Sequence, residues 1–345
     1  MRIAIIGTGV SGLTCAHLLH ERHDLTLFEA GSYVGGHTNT VDVRLQGHAW
    51  PVDTGFIVFN DWTYPNFIRL LDRLGVASRA TTMSFSVTCE ESGLEYNGTS
   101  LNSLFAQRSN LFRPSFWGMI RDILRFNREA PALLGTDAAD QPLAEFLDSA
   151  GYRREFVEHY LIPMGAAIWS MPPDRLREFP VGFFVRFFHN HGMLSVDDRP
   201  QWRTVAGGSR AYVERLIEPL ADRVRTNTPV QEIRRDDAGV TVDGERFDEV
   251  ILATHSDTAL TLLADATDAE QEVLGALPYQ ENETVLHTDA SVLPRRRLAW
   301  AAWNYHLGRD DTQPVGVTYN MNLLQGLDAP ETFCVSLNQN GAVAP

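Results

Sequence analysis

The residues that could do chemistry are concentrated at the start of the chain, in the turn Gly7-Thr8-Gly9-Val10-Ser11-Gly12. Glycines at this spacing permit a tight turn at Gly7, a close backbone approach to a pyrophosphate at Gly9, and close packing of a helix on a strand at Gly12. Free backbone N–H groups and the helix dipole attract phosphate at the start of such a helix. We therefore predict that the turn, including Val10 and Ser11, binds a dinucleotide.

A carboxylate follows at the distance that such a site requires. Glu29 lies seventeen residues after Gly12 and directly follows the apolar run Leu25–Phe28. A carboxylate at the tip of a second strand accepts hydrogen bonds from a ribose 2′-OH and repels a 2′-phosphate. We therefore predict that Glu29 binds the ribose, that the adjacent Ala30 belongs to the cofactor-binding site, and that NADP is disfavoured.

Two strands and a helix must position these residues. The β-branched run Arg2–Ile6 predicts a strand buried on both faces, the residues from Ser11 to Arg22 predict a helix, and Leu25–Phe28 predicts a second strand. Glycines alone could simply shape a turn in an α/β protein. The complete strand–turn–helix–strand order favours dinucleotide binding instead.

A second glycine motif, the adjacent pair Gly35-Gly36, indicates which dinucleotide is bound. Gly35-Gly36-His37-Thr38 follows Glu29, and the alternating apolar residues of Val41–Leu45 predict a strand after it. Two adjacent glycines allow the backbone to approach the cofactor closely at a second place. This suits a cofactor whose flavin half extends past the pyrophosphate.

These motifs resemble those of the flavin-containing amine oxidase superfamily, which includes protoporphyrinogen oxidases and phytoene desaturases. The resemblance implies FAD and an α/β fold, in which a Rossmann-type (GR2-like) FAD-binding domain is interleaved with an α+β substrate domain. Relatives usually carry arginine after the glycine pair. His37 departs from that pattern but can still donate to a phosphate oxygen.

Further segments match the superfamily in the same order. In relatives the strand predicted over 52–60 passes beside the flavin ring, which implies contacts from Gly55 and Phe56, although the residues alone also fit an ordinary buried strand. Val230 matches a position whose backbone contacts the adenine end of FAD. Ala253 and Thr254 end a predicted strand near the pyrophosphate. We predict an FAD-binding domain over 1–60 and 200–258 and a substrate domain over 61–199 and 259–345.

The end of the chain departs from the superfamily. Relatives return through a glycine-containing turn and a helix that cover the flavin, whereas nothing after Phe333 matches these elements. The residues from Asn338 to Pro345 predict a loop. We expect a truncated chain that lacks the C-terminal return to the FAD domain, with weakened flavin affinity and retained binding on the adenine side.

Several segments closely resemble a bacterial subgroup of FAD-dependent oxidoreductases found beside cyclopropane-fatty-acid synthase. They are 36–38, 52–60, 105–108, 163–170 and 199–202. The resemblance implies chemistry on fatty-acyl chains, with hydride transfer to flavin N5 and no protein nucleophile. Many amine oxidases hold a lysine near N5, on a strand that would fall around Thr284. This sequence contains no lysine, so desaturation or another acyl-chain oxidation is preferred to amine oxidation.

The substrate pocket is expected among the aromatic residues of the second half. The candidates are Met164, Trp169, His191, Trp303 and Tyr305. Each of these residues is equally compatible with plain core packing. Two alternatives stay open for the function: an oxidase of amines or polyenes, and a non-catalytic flavin-binding partner of a lipid-modifying enzyme.

Composition excludes other classes of function. The net charge of −15 disfavours nucleic-acid binding, and three scattered cysteines fit a reducing cytosol and give no metal-ligand spacing. No apolar run reaches the length of a membrane span. The predicted helix from Ser115 to Asn127 carries several arginines beside Trp117, so it fits either a solvated domain helix or a peripheral contact with the inner face of the membrane.

Overall fold

The computed structural model describes residues 1–308, 316–339 and 343. The chain forms two compact units. The first comprises Met1–Ile57, Arg69–Ser78 and Val205–Glu281, and the second comprises Val58–Ile68, Arg79–Thr204 and Asn282–Pro345. The first unit continues past residue 258, where the predicted FAD-binding domain ends. The assignment of sequence ranges to a cofactor domain and a substrate domain stays a prediction.

The strands are short and lie in several sheets. In chain order they are β1 (Arg2–Ile6), β2 (Asp24–Phe28), β3 (Thr40–Leu45), β4 (His48–Asp53), β5 (Val58–Asn60), β6 (Ser78–Ala80), β7 (Phe85–Cys89), β8 (Leu94–Asn97), β9 (Trp202–Val205), β10 (Val224–Arg225), β11 (Ile233–Asp236), β12 (Gly239–Val242), β13 (Glu245–Phe247), β14 (Glu249–Leu252), β15 (Thr284–His287), β16 (Trp303–Leu307), β17 (Gly316–Asn320) and β18 (Cys334–Leu337).

Most helices lie between β8 and β9. In chain order the α-helices are α1 (Val10–Leu19), α2 (Pro65–Leu74), α3 (Leu101–Leu104), α4 (Pro114–Glu129), α5 (Leu143–Ser149), α6 (Arg154–Phe156), α7 (Ile162–Trp169), α8 (Pro173–Arg177), α9 (Val181–Asn190), α10 (Arg210–Ile217), α11 (Ser256–Leu262), α12 (Asp268–Gly275) and α13 (Met321–Leu324). No helix among the described residues is long and apolar enough to cross a membrane.

The first unit is built on a parallel sheet with the strand order β10-β2-β1-β14. Strand β1 pairs with β2 on one side and with β14 on the other. The order of the strands therefore reverses beside the carboxyl end of β1, where open α/β sheets bind their ligands. An antiparallel sheet of β11, β12 and β13 contributes Val240, Val242 and Phe247 to a small apolar core with Phe28. The α/β class and the Rossmann-type core are confirmed.

Two elements predicted from the sequence have different bounds in the structure. Helix α1 ends at Leu19 rather than Arg22, because the N–H groups of Arg22 and His23 both donate to the Leu19 carbonyl and close a turn. The strand predicted over 52–60 is two strands, β4 and β5, interrupted at 54–57. Strand β11 begins only at Ile233, because the N–H groups of residues 231 and 232 donate to the Asp243 carboxylate instead of a neighbouring strand.

The second unit combines a mixed sheet with the helical segment. Its strand order is β15-β18-β17-β16-β7-β8, in which only β16 and β7 pair in parallel. The helices cover an aromatic core that includes Tyr96, Phe126, Phe156 and Phe184. Of the loop predicted over 338–345, residues 340–342, 344 and 345 lie outside the described residues.

Candidate cofactor-binding site and apolar cavity

In the turn after β1, the structure needs glycine at two of the three glycine positions of the motif. Gly7 has a φ of +98°, and a Cβ on it would lie 2.6 Å from the Ala253 carbonyl oxygen. A Cβ on Gly12 would lie 2.0 Å from the Gly7 carbonyl oxygen. A Cβ on Gly9 would meet nothing within 4 Å. Glycine is therefore needed for packing at positions 7 and 12, whereas position 9 faces open space where a ligand can approach.

The first turn of α1 provides anion-binding groups. Gly9 is the N-cap and makes no side-chain capping hydrogen bond, and Val10 and Ser11 are exposed. The first N–H groups of a helix have no partner within the helix. Because the turn lies at the positive end of the α1 dipole, it fits the pyrophosphate of a dinucleotide.

The Glu29 carboxylate points back to the glycine turn. Its Oε2 accepts a hydrogen bond from the Thr8 N–H at 3.1 Å and a second from the Thr8 hydroxyl, and its Oε1 accepts one from the Gly31 N–H at 2.8 Å. A carboxylate has about four acceptor positions, so Glu29 can still accept from a ribose. The side chain is half-buried, and the neighbouring Ala30 is exposed.

The second glycine pair packs on the first turn. The Gly35 N–H donates to the Thr8 carbonyl at 3.1 Å, and a Cβ on Gly36 would lie 2.9 Å from the Cα of Gly9. Gly36 has a φ of +58°. The two glycine motifs, which are separated by more than twenty residues in the chain, therefore form one continuous backbone surface in the first unit.

The interruption at residues 54–57 places Gly55 and Phe56, the two residues predicted to contact the flavin, against the segment that follows the Gly35-Gly36 pair. The Phe56 N–H donates to the His37 carbonyl at 2.9 Å, and a Cβ on Gly55 would lie 1.9 Å from the same oxygen. The exposed His37 ring stacks on His255 at 5.4 Å, and His255 directly follows Thr254. The Ala253 N–H donates to the Ile6 carbonyl and continues the pairing of β14 with β1.

Asp53 holds several of these segments together, and the sequence pattern gave no specific signal for it. Its buried carboxylate accepts hydrogen bonds from the Thr40 hydroxyl at 2.6 Å and from the Ser209 N–H at 2.9 Å. Burial raises the pKa of Asp53, although these hydrogen bonds and Arg210 oppose that shift. In the same unit the Thr38 hydroxyl is hydrogen-bonded to the phenol of Tyr212.

Among the predicted cofactor-binding residues, Val230 is a residue whose side chain is buried in an apolar core. Its side chain is buried in the small core of the first unit, and it precedes β11 rather than lying in a strand. The nearby Thr228 N–H donates to the Glu29 carbonyl at 2.9 Å, which fixes this segment beside the end of β2. A backbone contact of Val230 with adenine stays a prediction.

The second unit contains an apolar cavity of about 580 Å³. Four of the predicted pocket residues line it: Met164, Trp169, His191 and Trp303. Tyr305, the fifth, does not line the cavity, because its buried ring packs in the core beside Phe85, with a centroid distance of 6.3 Å. The His191 ring stacks on Phe187 at 3.9 Å, and its Nδ1 lies 2.9 Å from the Phe187 carbonyl oxygen.

The described lining of this cavity includes one guanidinium and no carboxylate. Among the described residues that line it there is no aspartate or glutamate, and Arg199 carries the only guanidinium. The Arg199 Nε donates to the Ser195 carbonyl at 2.8 Å, and Arg199 makes no ion pair in the described part of the chain. Burial raises the pKa of Tyr160, although Arg199 opposes that shift, and burial also raises the pKa of Tyr64. Both phenols are therefore uncharged at neutral pH.

Comparisons with known proteins agree with this fold. A family profile described as flavin containing amine oxidoreductase matches residues 10–288. The chain is 25% identical to an L-amino-acid oxidase of Siganus canaliculatus over 310 residues, which are 84% of this chain and 57% of that protein. It is 23% identical to flavin-containing amine oxidase A of Canis lupus familiaris over 256 residues, which are 70% and 46% of the two chains. The chain spans about half the length of these curated relatives.

Solved structures show the same likeness. Cyclohexylamine oxidase from Brevibacterium oxydans matches with a TM-score of 0.70 and 15% identity, covering 100% of this chain and 78% of that one. A CLA-producing fatty acid isomerase from P. acnes matches with a TM-score of 0.63 and 19% identity, covering 99% and 78%. At these identities the likeness shows the fold alone.

Proposed function

Because this chain belongs to the flavin-containing amine oxidoreductase family, whose cofactor is FAD, we propose that it is an FAD-dependent oxidoreductase of an apolar, fatty-acyl or lipid-like substrate. FAD supplies a hydride acceptor when it is bound. Gly9 and the first turn of α1 would hold the pyrophosphate, and Glu29 would accept from the ribose. His37 would donate to a phosphate oxygen.

The observation that carries the substrate class is the lining of the cavity in the second unit. Its described lining residues are mostly aromatic and aliphatic and include no carboxylate. An ammonium ion moved into such a site would lose its hydration without gaining a negative partner, which is unfavourable. An acyl chain gains from the same transfer because apolar surface is removed from water.

Arg199 favours a substrate with an anionic head group. Its guanidinium contributes to the cavity lining and has no ion-pair partner among the described residues. A guanidinium binds carboxylate or phosphate through two parallel hydrogen bonds. The head group would therefore be the carboxylate of a free fatty acid or the phosphate of a phospholipid.

The residues of the cavity would orient and desolvate this substrate. Met164 and Trp169 would contact the acyl chain. Arg199 would bind the anionic head group, and the distance from that group would determine which carbons of the chain react. The neutral phenols of Tyr64 and Tyr160 add no negative charge that would repel the head group. One structural neighbour is a fatty acid isomerase, so the fold is compatible with an acyl substrate.

Amine oxidation is the second candidate, and the names of the curated relatives favour it. The absence of lysine from the sequence and of carboxylates from the described cavity lining argues against it. An amine substrate would have to enter the cavity uncharged.

Anaerobic reduction of the flavin tests the proposal. Holoenzyme is mixed with oleic acid, phosphatidylglycerol vesicles, cyclohexylamine or an L-amino acid, and loss of the oxidised flavin spectrum is followed. We expect reduction by an acyl compound, with a weakened apparent affinity in the Arg199→Gln variant. Reduction by an amine alone would overturn the substrate class, and reduction by no donor would favour a non-catalytic flavin-binding role.

A further inference from the structure

An exposed apolar surface surrounds the connection between α3 and α4. The Phe112 side chain is 87% exposed and Leu101 is 77% exposed, while Leu111 and Trp117 are about half exposed. Single exposed apolar residues are common in proteins, but several large ones in one short segment indicate an interaction site.

Local contacts hold this surface in shape. The Trp117 Nε1–H donates to the Leu111 carbonyl at 3.0 Å, and the Trp117 ring lies 5.2 Å from the Phe105 ring. Arg108 donates to the Phe105 carbonyl at 2.9 Å and to the Asn102 side chain at 2.7 Å. The exposed side chains are therefore presented by an ordered segment.

The surface is basic, although the chain as a whole is acidic. Residues 96–121 include no aspartate or glutamate and three arginines, Arg108, Arg113 and Arg121, in a chain of net charge −15. None of the three makes an ion pair with a described residue. Their charge is therefore available to an external partner.

The helix α4 continues the same pattern. Arg113, Trp117, Arg121, Leu124 and Arg128 follow one another at intervals of four, four, three and four residues, which places them on one face of the helix. Trp117 and Leu124 on this face are exposed. A helical face that combines arginine with tryptophan and leucine is typical of a helix lying in a membrane interface.

We infer that the arginine–tryptophan face, comprising residues 101–121 and the outer face of α4, docks on an anionic lipid bilayer. Phe112 and Leu101 enter the headgroup region, and the arginines bind lipid phosphates. Charge complementarity favours this partner, because Arg108, Arg113 and Arg121 make no ion pair with a described residue and attract an anionic surface, whereas Arg128 is paired with Glu129. This local attraction acts even though the net charge of the protein is repelled by such a surface. The inference does not rest on the proposed substrate.

Vesicle sedimentation of the holoenzyme tests this inference. The wild type is compared with an Arg113→Glu/Arg121→Glu variant and with Phe112→Ser, using phosphatidylglycerol–phosphatidylcholine vesicles and vesicles of phosphatidylcholine alone. An Arg22→Glu/Arg44→Glu variant changes the net charge equally at exposed positions of the first unit and is the matched control. Melting temperature and flavin content confirm that each variant folds.

We expect the wild type and the control to bind phosphatidylglycerol vesicles and to dissociate at high salt. The Arg113→Glu/Arg121→Glu variant should weaken partition by roughly thirtyfold or more, because two attractive charges are lost and two repulsive charges are gained. Phe112→Ser should weaken partition without changing its salt dependence. Equal binding by the wild type and the double variant would overturn the inference, as would no binding by the wild type. A dimer in gel filtration that dissociates in the double variant would instead assign the face to a second copy.

Discussion

Gly55 and His37 pack so closely that a methyl group on Gly55 would lie 1.9 Å from the His37 carbonyl oxygen. The same oxygen accepts the Phe56 N–H at 2.9 Å. This contact ends the regular strand after Asp53 and fixes the segment after the second glycine pair, whose Gly36 lies against Gly9. Backbone contacts therefore connect residues that the sequence places in three separate motifs.

Substitution of Gly55 should damage both stability and cofactor binding. Gly55→Ala forces the His37 carbonyl to move, which should lower the free energy of unfolding by about 1–3 kcal/mol and reduce flavin retention. Gly98→Ala is the control, since a Cβ there would meet nothing within 4 Å and the φ of Gly98 is not positive. Urea unfolding and flavin content of both variants give the comparison. Equal stability of the two variants would show that the contact is unimportant.

The charge of Glu29 should contribute to FAD affinity. Glu29→Gln preserves the side-chain shape but removes the charge and one acceptor, and hydrogen bonds to charged groups contribute about 1.5–3 kcal/mol. We expect FAD affinity to fall by roughly tenfold to a hundredfold. Asp24→Asn, at the exposed start of the same strand, should leave it unchanged. Titration of each apoprotein with FAD measures the affinities of the two variants. An unaltered FAD affinity of Glu29→Gln would show that Glu29 does not contribute to the cofactor site.

Local patterns in the sequence were sufficient for the glycine turn, the first two strands and the α/β class. The positive φ of Gly7, the contact of Gly12 with the Gly7 carbonyl and the hydrogen bond of Glu29 with Thr8 all lie within one strand–helix–strand unit. The interruption of the strand at Gly55 could not be predicted, because it depends on the carbonyl of His37, eighteen residues earlier in the chain. The buried position of Tyr305 likewise depends on its partner strand β7 rather than on its own residue type.

The side-chain hydrogen bonds of the site also could not be predicted from the sequence. Thr8 is one of the variable positions of the glycine motif, yet it donates twice to Glu29. Asp53 joins Thr40, on the neighbouring strand β3, to Ser209, which lies 156 residues later in the chain. Polar residues at such positions have no periodicity that distinguishes them from exposed loop residues, so only the tertiary structure identifies them.

Asp53 should make stability depend on pH. Because burial raises its pKa above the ordinary 3.8, the native state retains the proton to higher pH than the unfolded chain does. Its stabilising contribution is therefore fully present below that ordinary value and decreases as the pH rises through the folded-state pKa. Unfolding of the wild type and of Asp53→Asn by urea should show a wild-type advantage that shrinks as the pH rises above the ordinary pKa of 3.8. An advantage that grows with pH would contradict this assignment.

Cys89 should be the most nucleophilic of the buried thiols. Burial raises its pKa, but hydrogen bonds with His159 and Ser92 outweigh burial and lower the pKa to about 7, whereas burial raises the pKa of Cys334 to about 12. Methyl methanethiosulfonate should therefore label Cys89 before Cys334, with a rate that rises through about pH 7. In His159→Gln this rise should shift to higher pH. Mass spectrometry of the labelled peptides follows both sites, and faster labelling of Cys334 would contradict the prediction.

The central claim is that FAD lies along the glycine turn, and Gly9 tests it most directly. A Cβ at position 9 meets nothing within 4 Å of protein and the φ there is −66°, so Gly9→Ala should leave the apoprotein folded as the wild type is. A pyrophosphate on the same backbone would collide with the added methyl group. We predict that Gly9→Ala apoprotein keeps the wild-type melting temperature and binds FAD at least about tenfold more weakly. Wild-type FAD affinity in a folded Gly9→Ala protein would contradict the account.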